Sequence, residues 1–529
     1  MSEVTTNLNG RLSVTSGAII IALFSVLSRL LGLLRDRLLA SNFGAGSVLD
    51  SYYAAFKIPD FIFNTLVLGA LASAFIPVFI RLRKNSQPEA ESYTQTMFNL
   101  VTGILAVCAV VAIIFAPQLV ALIAPGFDPE RLQLTISLTR VMLLATIFFG
   151  ASNILASVLQ AERKFFAYSL APVLYNGGII IGLYTLVPVM GTIGLAWGVV
   201  LGSALHFLVQ VPAVRKLGFS WSKNFSLKVS GIKETLKLIG PRTIGLAASQ
   251  LEQVITAGFA TSLAVGSLAA FTLAVNLQSF PINVFGVSLA IAAFPVFSQA
   301  LAVNNNGEFT AHFKDSVRRI VFFVLPLAVL FLVLRAQIVR VTLGSGVFDW
   351  GDTIRTADIL GYLSLAMLAD ALVPLVARVF YALSDTRTPA LVAVGTVVVN
   401  VILLIVFHPL GLAGIGLAYV FSRALSLSTL VALLGKRLGD LGGEQILQGL
   451  GRMLPAALLS GLSAYLMLRV IAPLVDMHTF LGIFIQGTVS GVVGVIIYLL
   501  VTWNLPEVNF VKRWLASSWT LTSKLWIRN

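Results

Sequence analysis

Ser25, Arg29, Gly32 and Asp36 fall at i, i+4, i+7 and i+11 of a leucine-rich run, a spacing that puts them on one face of a helix. The chemistry open to such a stripe is electrostatic. Small, polar and charged positions on an otherwise apolar helix line a water-filled interior rather than lipid. Arg35 and Arg37 lie off this stripe, towards the end of the run, where long cationic side chains snorkel to an interface. A second charged group follows in Lys57 and Asp60, three residues apart around Pro59, close enough to pair along a helix. Pro59 frees a backbone carbonyl and predicts a kink. A broken helix beside a charge pair suits a transport site; a lone pair near the outer interface fits the same residues equally well. Glu252, inside LAASQLEQVITAGF, is either a proton or cation site or a hydrogen-bonded partner of a neighbouring arginine. Arg140, Asp370, Arg378 and Arg423 complete the intramembrane candidates, with Arg378 and Arg423 closer to the cytoplasmic face. His206 and His408 read as structural or interfacial.

Nothing here suits covalent catalysis. There is one cysteine and there are four histidines in 529 residues, none spaced as a metal motif. No Walker loop and no Gly-x-Ser-x-Gly elbow occurs. No metal and no organic cofactor is expected.

The elements that must position these charges are membrane spans. Hydrophobic residues make up 57% of the chain and charged ones only 11%, against about 25% charged in a typical soluble domain. Each span needs about 20 apolar residues, and an ionisable group at the bilayer centre costs roughly 2.5–3.5 kcal/mol. Apolar stretches fall near 16–38, 50–80, 95–123, 132–160, 166–189, 192–213, 237–264, 268–302, 317–343, 355–383, 389–408, 411–435, 449–473 and 480–503. The expectation is an all-α integral membrane protein of about fourteen transmembrane helices. The polar start MSEVTTNLNGRLSVTSG, with Arg11 its one basic residue, runs into a long helix without a cleavage site, so no signal peptide is expected.

The net charge of +14 would fit nucleic acid, but its distribution argues against that partner. Basic residues collect in alternate loops: Arg81, Arg83 and Lys84; Arg163 and Lys164, beside Glu162; Arg215, Lys216, Lys223, Lys228, Lys233 and Lys237; Lys314, Arg318 and Arg319; Arg387; Lys436, Arg437 and Arg452. The tail carries Lys512, Arg513, Lys524 and Arg528. The intervening loops PVMGT, AVGS, HPLG and VDMH are nearly bare of cations, and GFDPER and FDWGD are acidic or mixed. Positive loops stay inside, which places both termini in the cytoplasm.

The halves repeat. IGLAW (193–197) matches IGLAY (415–419), each after a proline, Pro188 or Pro409; FIPVF (75–79) matches AFPVF (293–297). An offset of six spans preserves orientation, so the repeat is parallel, a transporter architecture with its site near mid-membrane. Residues 1–215 form an N-terminal six-helix half, 216–236 a basic cytoplasmic linker, 237–440 a C-terminal six-helix half, and 441–529 two extra helices and a cytoplasmic tail.

The run LSRLLGLLRDRLLASNFGAGSVLDSYYAAFKIPDF (27–61) resembles the MurJ (MviN) family, lipid II flippases of the MOP exporter superfamily. Their pattern there is FSR-hydrophobic-LG-xx-RD, then FGAG, then D-x-hydrophobic-x-AFK-hydrophobic-PN. APGF (124–127), FIPVF and FYALSDTRTP (380–389) are similar to further family segments, and the likeness covers about 15–505. It implies a cationic cavity holding a sugar-pyrophosphate headgroup while the polyprenyl tail stays in lipid. Arginine suits bidentate phosphate binding. Matched position by position, Arg29, Arg35 and Asp36 correspond to family residues of span one, and Asp50 and Lys57 to the polar residues opening span two. The family has arginine a few residues past the PN, where this chain has Phe63 and Asn64. It has glutamate before a glycine where Leu68 precedes Gly69, and arginine where Asn276 precedes Leu277.

The resemblance implies a flippase for lipid-linked peptidoglycan precursor in the bacterial cytoplasmic (inner) membrane, working by alternating access as a single chain, and driven by membrane potential or an ion gradient. The alternatives are a flippase for another lipid-linked saccharide and a MATE-like exporter of small molecules or cations. A membrane glycosyltransferase would need a large outer loop with paired carboxylates, and the outer loops are short. Asp60, Glu252 and Asp370 are the ion-coupling candidates, for Na+ or H+. The substrate-contact candidates are Arg29, Arg35, Asp36, Asp50, Lys57 and Asn276.

Overall fold

The computed structural model describes residues 14–509, apart from 69, 70, 220–225, 227 and 304, with residue 512 beyond them. Arg11, Gly69, Lys223, Arg513, Lys524 and Arg528 lie outside the described residues. Among those described there are helices and turns but no strand. In chain order they are α1 (Val14–Phe43), α2 (Ser47–Ala55), α3 (Lys57–Phe63), a π-helical segment (Asn64–Leu68), α4 (Leu71–Asn85), α5 (Gln87–Ile114), α6 (Ala116–Ile123), α7 (Pro129–Ala161), α8 (Phe165–Thr185), α9 (Val187–Met190), α10 (Ile193–Leu208), α11 (Val211–Arg215) and α12 (Ile232–Thr261). Then follow α13 (Ser267–Pro281), a second π segment (Ile282–Val287), α14 (Ser288–Ala302), α15 (Asn306–Val333), α16 (Arg335–Leu343), α17 (Trp350–Ala382), α18 (Arg387–Phe407), α19 (Leu412–Leu438), α20 (Gly443–Ile471) and α21 (Phe480–Val501).

Among the described residues, 11 helical stretches are long and apolar enough to cross a membrane. Fourteen were expected, and the remaining three correspond to α1, the α2–α4 run and α12. Parts of α1 and α12 lie outside the described side chains. The α2–α4 run is cut into helices of 9, 7 and 15 residues, each shorter than the ~20 residues a span needs. The cut at Phe56 sits three residues before Pro59, as a missing N–H requires.

The repeat is visible in backbone geometry as well as in sequence. Left-handed residues occur in four pairs about 220 residues apart: Gly44 and Gly266, Arg163 and Ser384, Gly191 and Gly411, Gly218 and Gly439. Arg163 and Ser384, with φ of +56° and +58°, are the two non-glycines at positive φ among the described residues. An L-residue there is strained, so the same turn is imposed at both places, after α7 and after α17. Asp128 and Asp349 stand at the same spacing; the first accepts the Arg131 N–H at 2.9 Å and the second the Asp352 N–H at 2.8 Å. The π segments, too, share this spacing.

Two compact units result. The first runs to Thr272 and includes 345–352 and 404–415; the second holds Leu273–Gly344, Thr353–Leu403 and the chain from Gly416 on. Within the first, α8 and α10 approach through glycines: Gly178 and Gly182 on one helix face Gly202 and Gly198 on the other. Without side chains between them, backbones pack by dispersion alone, the usual glue of helices in lipid. Phe75 stacks on Phe79 and Tyr93 below them, and α7 packs against α2 to α5. Within the second unit, Phe297, Phe309 and Phe313 form the core between α14 and α15, and α20 packs on α21 and α15.

Candidate functional site

In the first unit, the α1 stripe divides into a bound part and an open part. Arg35 donates from Nε and Nη2 to Asp36 Oδ1 at 3.0 and 2.7 Å, and from Nη1 to Asn176 Oδ1 at 3.1 Å. Asn176, on α8, passes its own N–H groups to the carbonyls of Ser28 and Pro172. Asp36 is 3% exposed, so a buried carboxylate is matched by a guanidinium that is itself oriented. Arg35 was expected to snorkel to an interface; it turns inward because an unpaired Asp36 would be far costlier than a paired one. Arg29, two turns earlier, is half-buried, and among the described residues it has no hydrogen-bond or ion-pair partner. Ser25 is exposed.

Asp50, in the first turn of α2, is 1% exposed. Its two oxygens accept the backbone N–H groups of Gly266 and Ala269 at 2.6 and 2.8 Å, at the N-terminus of α13, with Arg131 Nη1 3.9 Å away. Asp352 acts similarly, accepting the Ala45 N–H at 2.9 Å just before α2. Carboxylates at helix N-termini satisfy orphan amides and meet the positive end of the macrodipole.

Lys57 is half-buried on α3, and Asp60 is accessible. Asp60 lines a cavity of about 170 Å³ with Phe56, Phe63, Asn64, Thr146, Phe149 and Tyr175. Asn64 Nδ2 donates to Gln250 Oε1 of α12 at 3.2 Å. Glu252, also on α12, is 5% exposed. Arg140 donates to the Ile113 carbonyl at 3.3 Å. His206 meets Ser152 Oγ at 2.7 Å and packs edge-on to Phe149; His408 meets Ser262 Oγ at 3.1 Å. Both histidines thus have structural partners.

In the second unit, Asp370 is the centre of a polar knot. Its Oδ2 accepts from Tyr419 Oη at 2.9 Å and Gln278 Nε2 at 3.2 Å, and Arg423 Nε lies 3.4 Å from Oδ1. The guanidinium of Arg423 also sits over the Tyr419 ring. Gln278 is 1% exposed and also donates to the Leu363 carbonyl. Arg378 donates to the Pro374 carbonyl at 3.0 Å. Asn276 is half-buried on α13.

The sequence candidates therefore divide by unit, with Arg29, Arg35, Asp36, Asp50, Lys57, Asp60 and Glu252 in the first and Asn276 and Asp370 in the second. Sequence reasoning missed Asn176, Gln250, Gln278, Tyr175 and Tyr419. A signal existed for the first three, since an amide inside an apolar span must find partners; the two tyrosines are indistinguishable from core aromatics until their neighbours are known.

The family profile described as "Lipid II flippase MurJ" matches residues 39–485. A lipid II flippase MurJ from Burkholderia cenocepacia is 28% identical over 78% of this chain and 82% of its own length. A probable lipid II flippase MurJ from Rhizobium tropici is 29% identical, over 83% and 84%. Among solved structures, "Lipid II flippase MurJ, inward closed conformation" superposes with a TM-score of 0.75 at 24% identity, covering 92% of this chain and 99% of that one. An inward-facing MATE-family multidrug transporter of the MOP superfamily gives 0.67 at 16% identity, over 80% and 99%. These likenesses to solved structures fix the fold.

Proposed function

Because this chain belongs to the lipid II flippase MurJ family, we propose that it moves the lipid-linked peptidoglycan precursor from the inner to the outer leaflet by alternating access, driven by membrane potential or an ion gradient. The observation that carries the headgroup site is Arg29, a half-buried guanidinium on an apolar helix without a protein partner among the described residues. A half-buried cation on an apolar helix favours an anion to meet, and a pyrophosphate supplies two charges in the geometry a guanidinium prefers. Lys57 adds a second positive group. Arg35 and Asp36 position α1 through Asn176, Asp50 sets α2 against α13, and Asn276 offers a neutral amide to the saccharide.

The cargo leaves unchanged, so the work is binding and conformational exchange rather than covalent chemistry. The halves 1–215 and 237–440 rock about the site, joined by the basic linker 216–236, while α20 and α21 in 441–529 provide a groove for the polyprenyl tail. The protein acts as a monomer in the bacterial inner membrane with both termini cytoplasmic, and nucleic acid is not a partner.

Headgroup binding by the purified protein in detergent tests this, comparing lipid II with a lipid-linked sugar that lacks the peptide, for wild type and Arg29→Ala. Selective lipid II binding that falls at least tenfold in Arg29→Ala is the expected result. Binding of the other lipid or of a small cation, with none of lipid II, would mean a changed cargo on a retained fold.

A further inference from the structure

Most intramembrane carboxylates of this chain are engaged. Asp36 faces Arg35, Asp50 holds two backbone amides, Asp370 is held by Tyr419, Gln278 and Arg423, and Glu252 has an interaction of its own. Asp60 differs. Among the described residues its carboxylate accepts no hydrogen bond and forms no close ion pair, and it opens onto a cavity. Lys57, one turn back, interacts with it through the field but does not line that cavity.

The cavity walls are suited to a cation. Phe56, Phe63, Phe149 and Tyr175 present aromatic rings, whose faces attract positive charge. Hard oxygen donors accompany them. The Thr146 hydroxyl spends its proton on the Leu143 carbonyl, and Asn64 spends its N–H on Gln250, so the oxygen of each keeps free lone pairs. One carboxylate without a close counter-ion calls for one positive charge, and a divalent ion would leave an uncompensated charge beside Lys57.

The repeat sharpens the contrast. Where α3 has Asp60 just before its π segment, the equivalent position before the second π segment is Gln278, which is neutral, buried and bonded to Asp370. The second half has filled this position; the first has left it charged and open.

We propose that Asp60 and its aromatic cavity form a monovalent-cation site, binding Na+ or taking up a proton, and that this is where the coupling ion of the proposed transport cycle binds. The inference rests on the transport reading for its role but not for its chemistry.

The test uses the full chain in detergent at constant ionic strength, exchanging choline for Na+ or K+, and repeats the series between pH 8 and pH 5.5. Thermal unfolding and lipid II binding are both measured, for wild type, Asp60→Asn, Asp60→Glu and Asp370→Asn. The expected result is a Tm rise in wild type with Na+ over K+, or on acidification. Asp60→Asn, already neutral, loses that response at least tenfold in cation concentration, while Asp60→Glu retains it with a shifted midpoint. A Na+-specific loss identifies sodium; a loss confined to the pH series identifies the proton. An unchanged response in Asp60→Asn overturns the site, as does no response in wild type, or a response lost in Asp370→Asn instead. Cation response without lipid II binding would overturn the flippase reading and leave the site standing.

Discussion

Asp50 and Gly266, distant in sequence, are joined by a 2.6 Å hydrogen bond from the Gly266 backbone N–H to the Asp50 carboxylate. The same carboxylate takes the N–H of Ala269. Removing it leaves two buried amides without an acceptor, at about 1–3 kcal/mol each. Asp50→Ala therefore lowers the Tm of the purified protein markedly, and Asp50→Asn, which keeps one acceptor oxygen, falls between. A full-stability Asp50→Ala protein would show that the cap contributes nothing.

Arg29 and Arg35 separate binding from folding. Arg35→Ala removes the hydrogen bonds that this guanidinium makes to the buried Asp36 and to Asn176, so it is destabilising, at about 1.5–3 kcal/mol for a hydrogen bond to a charged group, and reduces the yield of folded protein. Arg29→Ala removes no hydrogen bond or ion pair among the described residues, so Tm holds while transport is abolished. Thermal unfolding alongside a flipping assay in proteoliposomes distinguishes the two; equal destabilisation by both substitutions would contradict this division.

The loop after α17 carries a pH-sensitive cap. Burial pushes the Asp385 carboxyl up, but the backbone N–H and hydroxyl of Thr388 and the guanidinium of Arg437 outweigh it, and the group ends below its usual range. A depressed folded-state value means the stabilisation is present above the unfolded value, about 3.9, and is lost as pH falls through the folded value. Asp385→Asn keeps a capping oxygen but loses the charge that faces Arg437, and is accordingly less stable than wild type at pH 7 by about 0.2–1 kcal/mol. The gap narrows below about pH 4. Denaturation curves at pH 7 and pH 3.5 measure it; a gap independent of pH would exclude the charge as its source.

Neighbouring glycines of α8 should behave oppositely. A methyl on Gly182 overlaps the Gly198 backbone, whereas Gly177 has nothing within 4 Å of an added Cβ. Gly182→Ala is destabilising by about 1–3 kcal/mol through overpacking. Gly177→Ala is neutral or stabilising, since alanine restricts the unfolded chain. Comparable Tm shifts for both would refute close α8–α10 packing.

Apolar run lengths made 11 of the fourteen expected spans legible among the described residues, because lipid admits only helices or closed barrels. Pro59 made the break at Phe56 legible for the same covalent reason. The Arg35–Asn176 bond was not, since it joins residues 141 apart, and helical spacing along α1 says nothing about what α8 offers. The π segments left no periodic signature either: five or six residues are too few to shift a hydrophobic period. Arg163 and Ser384 share a turn that neither residue type advertises, so the repeat was clearer in backbone angles than in letters.

Each π segment carries a consequence for motion within its own span. The Ser288 N–H reaches back five residues to the Asn283 carbonyl, so the wide turn stores one residue of slack. Passing that surplus along the helix converts π to α at one point and α to π at another, with little net change in the number of backbone bonds. Every residue between the two points then rotates by about 100° and slides about 1.5 Å along the axis. A span built this way re-aims its side chains like a tumbler in a lock, without unwinding in lipid.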